Sequence, residues 1–277
     1  MGYYLIVVLI IMEQEWLKTK MAKKILIPKS HPRYCSLVIR EKLVDGFENG
    51  LVAREGLIAH GRGESFDYLL GEKTIYPALK AINAASALFI LAEHPIISIN
   101  GNTAALCAKE ISKLNQSLEK CSIEINLFYH TKNREKLIAS ELQKYGVKKI
   151  LGIGNSKKTT IPELESNRRN VDSEGIFKSD VVFVPLEDGD RAIALKKMNK
   201  KIITVDLNPL SRTSISSDIS IVDNIVRAIP QLIKCVEYHK KNSTKKELKK
   251  IISCFNNEES LSDSLNILRS SKMLTKR

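Results

Sequence analysis

Apolar runs and helical repeats alternate along most of the chain. Short apolar runs predict strands at residues 95–99, 123–128, 149–153, 180–186, 201–207 and 219–222. Between them, apolar residues recur at helical spacing, which predicts helices at 37–47, 77–92, 108–120, 131–145, 191–198 and 224–238. The alternation predicts an α/β fold with a mostly parallel sheet and helices on both faces.

Three segments fall outside this alternation. Residues 66–70 predict a short helical turn that ends at Gly71, and residues 154–175 predict a polar excursion from the sheet. After residue 243, two amphipathic segments, 245–254 and 260–268, predict a helical C-terminal tail.

The first twenty residues carry an apolar run, Tyr3 to Met12. It is shorter than the roughly 20 residues of a spanning helix, and no cation precedes it as in a signal peptide. It is compatible with an extra strand, a weak anchor or an upstream start codon. We favour the last, with Met21 as the start.

Composition narrows the class of protein. The 277 residues are 43% hydrophobic and 27% charged, which is typical of a globular protein. The net charge of +13 invites a nucleic-acid interpretation, but residues 231–277 hold 11 of the cations against five acidic residues, with few aromatic residues among them. We expect a solvated lysine face and no nucleic acid. The five scattered cysteines favour a cytoplasmic location without disulfides.

Cations cluster in two segments near the start. Lys29, His31 and Arg33 precede a predicted helix, and Arg62 stands between two glycines in His60–Gly63. Glycine permits close backbone approach to a ligand, and arginine binds phosphate or carboxylate. Two such turns predict an anion site, although each is also compatible with a basic turn.

Polar side chains follow the predicted strands, where parallel sheets bind ligands. Asn100 and Asn102 follow one strand, and Asp206 and Asn208 follow another, placed to contact a ribose or a base. A third group, Glu187, Asp188 and Asp190, has the chemistry to hold Mg²⁺ or a substrate amine, or to cap a helix.

Residues alone lead no further than an α/β protein that binds a polyanionic, phosphorylated ligand. His60 is the best acid–base candidate, and a structural histidine is equally compatible with its position. Gly152–Thr159 is close to a phosphate-binding loop, but Lys157 stands where its second glycine belongs.

Taken together, several long strings resemble the archaeal phosphopantothenate synthetase (4-phosphopantoate–β-alanine ligase) family. They are Ile27–Tyr34, Gly56–Glu64, Phe66–Glu72, Asn100–Thr103, Val184–Arg191 and Asp206–Thr213. The resemblance runs from about Ile25 to Leu268. It implies a Rossmann-like ligase domain at residues 21–242, with 1–20 as an extension and 243–277 as a helical tail.

This resemblance implies an activity and an ATP site. The family couples 4-phosphopantoate to β-alanine with ATP, releases AMP and pyrophosphate, and works as a homodimer in coenzyme A biosynthesis. Position by position, the implied ATP-binding residues are Arg40, Arg62, Asp206, Leu207, Asn208, Arg212, Thr213, Asn224 and Ile225.

The remaining roles are hypotheses built on that chemistry. Arg40, Arg62 and Mg²⁺ would neutralise the triphosphate and the reacting carboxylate. The phosphate of phosphopantoate is assigned to Lys29, His31 and Arg33, with Asn100 and Asn102 also in the substrate site. Glu187, Asp188 and Asp190 would receive the β-alanine ammonium or the metal, and His60 or one of these acidic residues would accept the ammonium proton.

Two alternatives of other kinds remain open. One is a regulatory protein that binds nucleotide or nucleic acid through the sheet ends and the basic tail. The other is a kinase, which would release ADP instead of AMP.

Overall fold

The computed structural model describes residues 27–154 and 157–270. The apolar run 3–12 and the extension 1–20 lie outside the described residues. Two compact units are distinguished, one ending at Glu41 and one beginning at Lys42. The helices are α1 (Tyr34–Glu48), α2 (Arg54–Leu70), α3 (Tyr76–Leu91), α4 (Gly101–Ser117), α5 (Lys132–Lys144), α6 (Gly189–Lys197), α7 (Arg212–Ser216), α8 (Ile225–Asn242), α9 (Lys245–Ser253) and α10 (Asn257–Ser270).

Within the described residues, eight strands form two sheets. The strands are β1 (Pro95–Ile99), β2 (Ser122–Ile125), β3 (Ile150–Leu151), β4 (Lys158–Thr160), β5 (Asn170–Asp172), β6 (Val181–Phe183), β7 (Lys201–Val205) and β8 (Ile219–Ile221). Six of them form one sheet in the order β3-β2-β1-β6-β7-β8, with every pairing parallel. This is the Rossmann strand order, in which the direction of winding reverses between β1 and β6. The predicted fold class is confirmed.

The two faces of the sheet can be followed in β6. Phe183 packs edge-to-face on Phe89 of α3, with ring centroids 5.7 Å apart. The preceding residue, Val182, belongs instead to a buried cluster with Ile161 and Leu195. Because neighbouring side chains of a strand point to opposite faces, α3 covers one face, and α6 with the segment around Ile161 covers the other.

Residues 157–176 contain more structure than the polar excursion predicted there. They include an antiparallel pair, β4 and β5, and a single 3₁₀ turn at Asn167–Arg169. Isolated apolar residues anchor the segment in the core, namely Ile161, Leu164, Val171 and Ile176. Their spacing matches neither the helix nor the strand period, so the sequence pattern did not reveal them.

The largest error in the predicted elements is α2. Gly61 and Gly63 were interpreted as marking a turn, but the structure places both of them, together with Gly56, inside a 17-residue helix. Only the last helical residues had been predicted, and the helix ends at Gly71 as expected, in the left-handed conformation. Glycine lowers helix propensity without forbidding the helix when tertiary contacts hold it.

Two further helices differ from prediction at their first residues. α4 begins at Gly101, directly after β1, whereas the predicted helix began at residue 108, and α7 begins at Arg212, where no element had been predicted. The C-terminal helices α9 and α10 are confirmed and pack against α3, with Leu248 and Leu261 buried. Among the described residues, every helix is too short or too polar to cross a membrane.

Candidate functional site

The carboxyl ends of the parallel strands bring most of the predicted polar residues to one edge. Asn100 follows β1, Asp188 lies beyond β6, Asp206 follows β7, and Asp223 and Asn224 lie beyond β8. Ligands of open α/β sheets bind at this edge. The edge is therefore the candidate site.

α2 lies along this edge and touches three of the strand ends. Near its start, Asn102 Nδ2 donates to the Gly56 carbonyl oxygen at 2.8 Å. In its middle, a Cβ added at Gly63 would be 3.6 Å from Leu207 Cδ1, so the helix backbone lies against the residue after Asp206. Near its end, Asn224 Nδ2 donates to Asp67 Oδ2 at 2.9 Å. The helix thereby carries His60 and Arg62 to the candidate site.

The segment after β7 is a turn that is held by hydrogen bonds to its own side chains. Asp206 accepts hydrogen bonds from the Asn208 N–H at 2.9 Å and from Ser211 Oγ at 2.5 Å. Burial raises the pKa of Asp206 above its ordinary value, against the effect of these two donors. Thr213 Oγ1 donates to the Glu187 carbonyl oxygen at 2.9 Å, which ties this turn to the end of β6.

The end of β8 is fixed by an ionic cluster. Asn224 caps α8 by accepting from the Val226 N–H, and it donates to Asp67. Arg227 forms ion pairs with Asp67 and Asp223 at 2.5 and 2.6 Å. Ile225 is buried. The predicted pair Asn224 and Ile225 is thus held in place by two residues that the sequence analysis did not select, Asp67 and Arg227.

The acidic group after β6 is largely neutralised within the protein. Glu187 is buried in ion pairs with Arg168 and Arg191, and Asp188 both accepts from Arg168 Nη1 at 2.9 Å and caps α6. Burial lowers the pKa of each of these two arginines to about 10, so both remain charged at neutral pH. Glu187 therefore belongs to the scaffold, not to a surface that meets substrate.

A protein-held metal does not fit this arrangement. Asp190, the third acidic residue, pairs with Arg212 at 2.5 Å. Across residues 27–154 and 157–270, no group of three acidic, histidine or cysteine side chains is placed to hold a metal ion. Mg²⁺ in nucleotide sites is held by one or two carboxylates together with waters and substrate phosphates, and each carboxylate of this group is already paired with an arginine. The expected role of the acidic group as metal ligands finds no support in the geometry.

A cavity of about 390 Å³ lies beside this acidic group. Its lining includes Asp188, Asp190 and Arg212, with Phe128 and Lys197 around them. The wall therefore offers both carboxylates and cations next to the strand ends, which suits a small zwitterionic or polar ligand.

The helix that follows β1 does not offer a phosphate site. In dinucleotide-binding sheets its N-terminus faces the pyrophosphate. Here a Cβ added at Gly101 would be 2.2 Å from the Leu51 carbonyl oxygen, and Arg134 Nη2 donates to that same oxygen at 3.0 Å. The backbone at Leu51 occupies this position, which leaves the ends of β6, β7 and β8 for a ligand.

Both ends of the Asn100 amide are engaged within the protein. Its Oδ1 accepts from the Thr103 N–H, and its Nδ2 donates to the carbonyl oxygens of Pro185 and Leu186, all at 3.0 Å. Leu186 has a φ of +53°, a left-handed backbone that is strained for leucine. Asn100 thus braces the junction between β1 and β6, and its contact with substrate stays a prediction, as does that of Asn102.

His60 is buried on α2, and burial lowers its pKa even though Glu64 and Asp67 act in the opposite direction. The imidazole is therefore neutral near pH 7 and able to accept a proton. Arg62, two residues on, is exposed. The prediction that Arg62 lies in a turn was wrong, because the residue is helical. Its predicted role as an anion clamp does not depend on that conformation.

Four predicted residues belong to the first unit: Lys29, His31, Arg33 and Arg40. His31 Nδ1 accepts from the Arg33 N–H at 3.0 Å in the turn that precedes α1, so this predicted turn is confirmed. Arg40 lies on α1. Their roles toward a ligand stay predictions.

The fold and the position of the site define this protein as a Rossmann-like α/β protein with its candidate site at the carboxyl ends of β6, β7 and β8. Its sequence matches the model of the phosphopantothenate/pantothenate synthetase family over residues 77–271, and the chain belongs to this family.

Three curated relatives are named 4-phosphopantoate–β-alanine ligase. The protein from Thermococcus kodakarensis is 55% identical over 240 residues, which cover 86% of this chain and 90% of the relative. The one from Thermococcus onnurineus is 53% identical with the same coverage, and the one from Methanosarcina mazei is 47% identical over 86% of this chain and 92% of its own.

Proposed function

We propose that this protein is an ATP-dependent ligase that joins 4-phosphopantoate to β-alanine in coenzyme A biosynthesis. The observation that carries the proposal is the extent of similarity to relatives of that name, which spans nearly the whole chain at about half identity or better. The family resemblance of the strings at the strand ends agrees with it.

ATP is proposed to bind at the ends of β7 and β8. The nucleoside would contact Asp206, Leu207 and Asn208 on one side and Asn224 with Ile225 on the other. Arg212, Thr213, Arg62 and Arg40 complete the proposed set, with the arginines directed at the phosphates. The contacts of α2 with Leu207 and Asn224 support this assignment, because they bring Arg62 to the same edge.

The reaction is proposed to pass through an acyl-adenylate. The carboxylate oxygen of phosphopantoate attacks the α-phosphorus of ATP, the bond to the β-phosphate oxygen breaks, and pyrophosphate leaves. The β-alanine nitrogen then attacks the acyl carbon and AMP leaves. Two anions meet in the first step, so exposed arginines such as Arg62 would lower the barrier by neutralising them in line.

The substrates are assigned by charge. Lys29, His31 and Arg33 would bind the phosphate of phosphopantoate. The ammonium of β-alanine would bind beside the adenylate, in the cavity lined by Asp188 and Asp190.

Attack requires that the β-alanine ammonium lose a proton. A histidine that is neutral near pH 7 is suited to accept it, and this supports His60 as the general base.

Three further expectations complete the proposal. Mg²⁺ would enter as the counterion of the ATP phosphates, since the three acidic residues after β6 are paired with arginines. The protein would be a homodimer, as the family resemblance implies. It would act in the cytoplasm, where free thiols such as its five cysteines persist.

The test is product analysis with ATP, β-alanine and 4-phosphopantoate. We expect AMP and pyrophosphate; release of ADP instead would make the protein a kinase and reject the proposed reaction.

Loss of the Arg62 clamp is the matching test of the site. Arg62→Ala should lower AMP release by about 10-fold or more. Arg54→Ala removes an exposed arginine from the first turn of the same helix and should leave the rate within about twofold of the parent. Equal rates for the two variants would eliminate Arg62 as a phosphate clamp.

A further inference from the structure

Arg227 joins two elements that carry proposed ATP-binding residues. Its Nη1 and Nη2 donate to the two oxygens of Asp67 on α2, at 3.2 and 2.5 Å. Its Nε and Nη2 donate to Asp223 Oδ1 at the end of β8, at 2.9 and 2.6 Å. Such two-pronged bonds fix both distance and orientation, which a single point charge does not.

The two carboxylates have little access to water. Asp67 is 2% exposed and Asp223 is 1% exposed. Neutral groups add to the cluster, because Thr74 Oγ1 donates to Asp223 at 2.6 Å and Asn224 Nδ2 donates to Asp67 at 2.9 Å. Without the guanidinium, two buried negative charges on separate elements would repel each other.

The cluster lies next to the residues proposed for ATP. Asn224 is itself a member of it, and Asp67 is five residues after Arg62 on the same helix. Between Arg62 and Asp67 on this helix, Gly63 lies against Leu207, and glycine has no side chain to separate the two residues. A shift of α2 would therefore move Arg62 relative to Leu207 and Asn224 together.

We propose that Arg227 is a positioning residue of the ATP site, which clamps Asp67 to Asp223 and so holds α2, with Arg62, against the ends of β7 and β8. This inference rests on the proposed function, since it assigns Arg227 a part in binding ATP at that site. Arg227 acts through α2 and Asn224 without contacting the reacting atoms.

The KM for ATP separates this role from a purely structural one. A variant that only unfolds more readily loses active molecules, which lowers the maximal rate and leaves KM unchanged. Arg227→Met should raise both the KM for ATP and the Kd of a non-hydrolysable ATP analogue about 10-fold, because small displacements of clamping groups have effects of this size or larger. The KM for β-alanine should stay within about twofold.

Three companion variants and one control variant test the mechanism. Arg227→Lys retains the charge but lacks the planar guanidinium with its paired donors. Its KM for ATP should lie between those of the parent and of Arg227→Met. Asp67→Asn and the double variant Asp67→Asn/Arg227→Met should each weaken ATP binding no more than Arg227→Met does, since both changes release the same contact. Lys200→Met is the control, because Lys200 precedes β7 and donates to the carbonyl oxygens of Phe177 and Ser179 before β6, at the opposite edge of the sheet. It should lower the melting temperature without changing the KM for ATP.

The outcomes separate the inference from the proposed function. A parent protein that binds the analogue, with Arg227→Met binding it equally well, would overturn the positioning role and leave the ligase assignment intact. A parent that neither binds the analogue nor forms AMP would overturn the ligase assignment and this inference with it.

Discussion

Glu124 gives a stability prediction whose size can be worked out from its surroundings. The side chain is completely buried in β2, where Oε1 accepts from the Asp172 N–H at 3.0 Å and Oε2 from the Ile176 N–H at 2.7 Å. Burial raises the pKa of this carboxyl from 4.5 to about 7, although both bonds and the charge of Arg191 act in the opposite direction.

The direction of the pH effect follows from this shift. The folded protein binds the Glu124 proton more tightly than the unfolded chain does, so this proton stabilises the fold at low pH. The free energy of unfolding should fall as the pH rises from about 4.5 to about 7, and the Glu124 contribution should be constant above that range. A shift of this size corresponds to about 3 kcal/mol.

The assay is urea unfolding of the parent and of Glu124→Gln at pH 5, 6, 7 and 8. The amide does not titrate, and it can accept only one of the two backbone N–H groups, so the variant should be less stable at pH 5 by about 1–3 kcal/mol. The parent should then lose about 3 kcal/mol relative to the variant by pH 8. A difference between the two proteins that stays within about 1 kcal/mol of its pH 5 value throughout would refute the reasoning.

Three other predictions concern the packing of α2 and a buried ion pair, and can be measured by thermal and urea unfolding. Gly61→Ala should stabilise the protein by about 0.5–1 kcal/mol, because α2 is helical there and the added Cβ meets open space. Gly56→Ala on the same helix should destabilise it by about 1–3 kcal/mol, since its Cβ would be 2.4 Å from Asn102 Oδ1; the same sign for both alanines would contradict the placement of α2. Arg191→Met should cost about 3–5 kcal/mol because it leaves Glu187 without one of its buried partners, and a loss below about 1 kcal/mol would show that the pair contributes little.

The sequence was sufficient for the parallel sheet and most of its helices. Strands such as 201–205 are continuous apolar runs, and this local pattern survives in the fold because both faces of the strand are covered. The family resemblance then supplied the activity, which residue patterns alone had left at the level of an anionic ligand.

α2 and the 157–176 segment were missed because their stability is not local. α2 contains three glycines, and contacts with Asn102, Leu207 and Asn224 secure it from distant parts of the chain. Asp67 and Arg227 are 160 residues apart, so no spacing rule links them. The pairs Glu187–Arg191 and Asp223–Arg227 could have been predicted from the sequence, because the two residues of each pair are four positions apart at the start of a helix.

The Leu51 carbonyl has a consequence for the selectivity of inhibitors. Compounds that imitate dinucleotides place a pyrophosphate at the helix after the first strand. In this protein the same position holds a backbone oxygen, fixed by Arg134, and an anion there would meet a steric block. Dinucleotide mimics should therefore spare this protein.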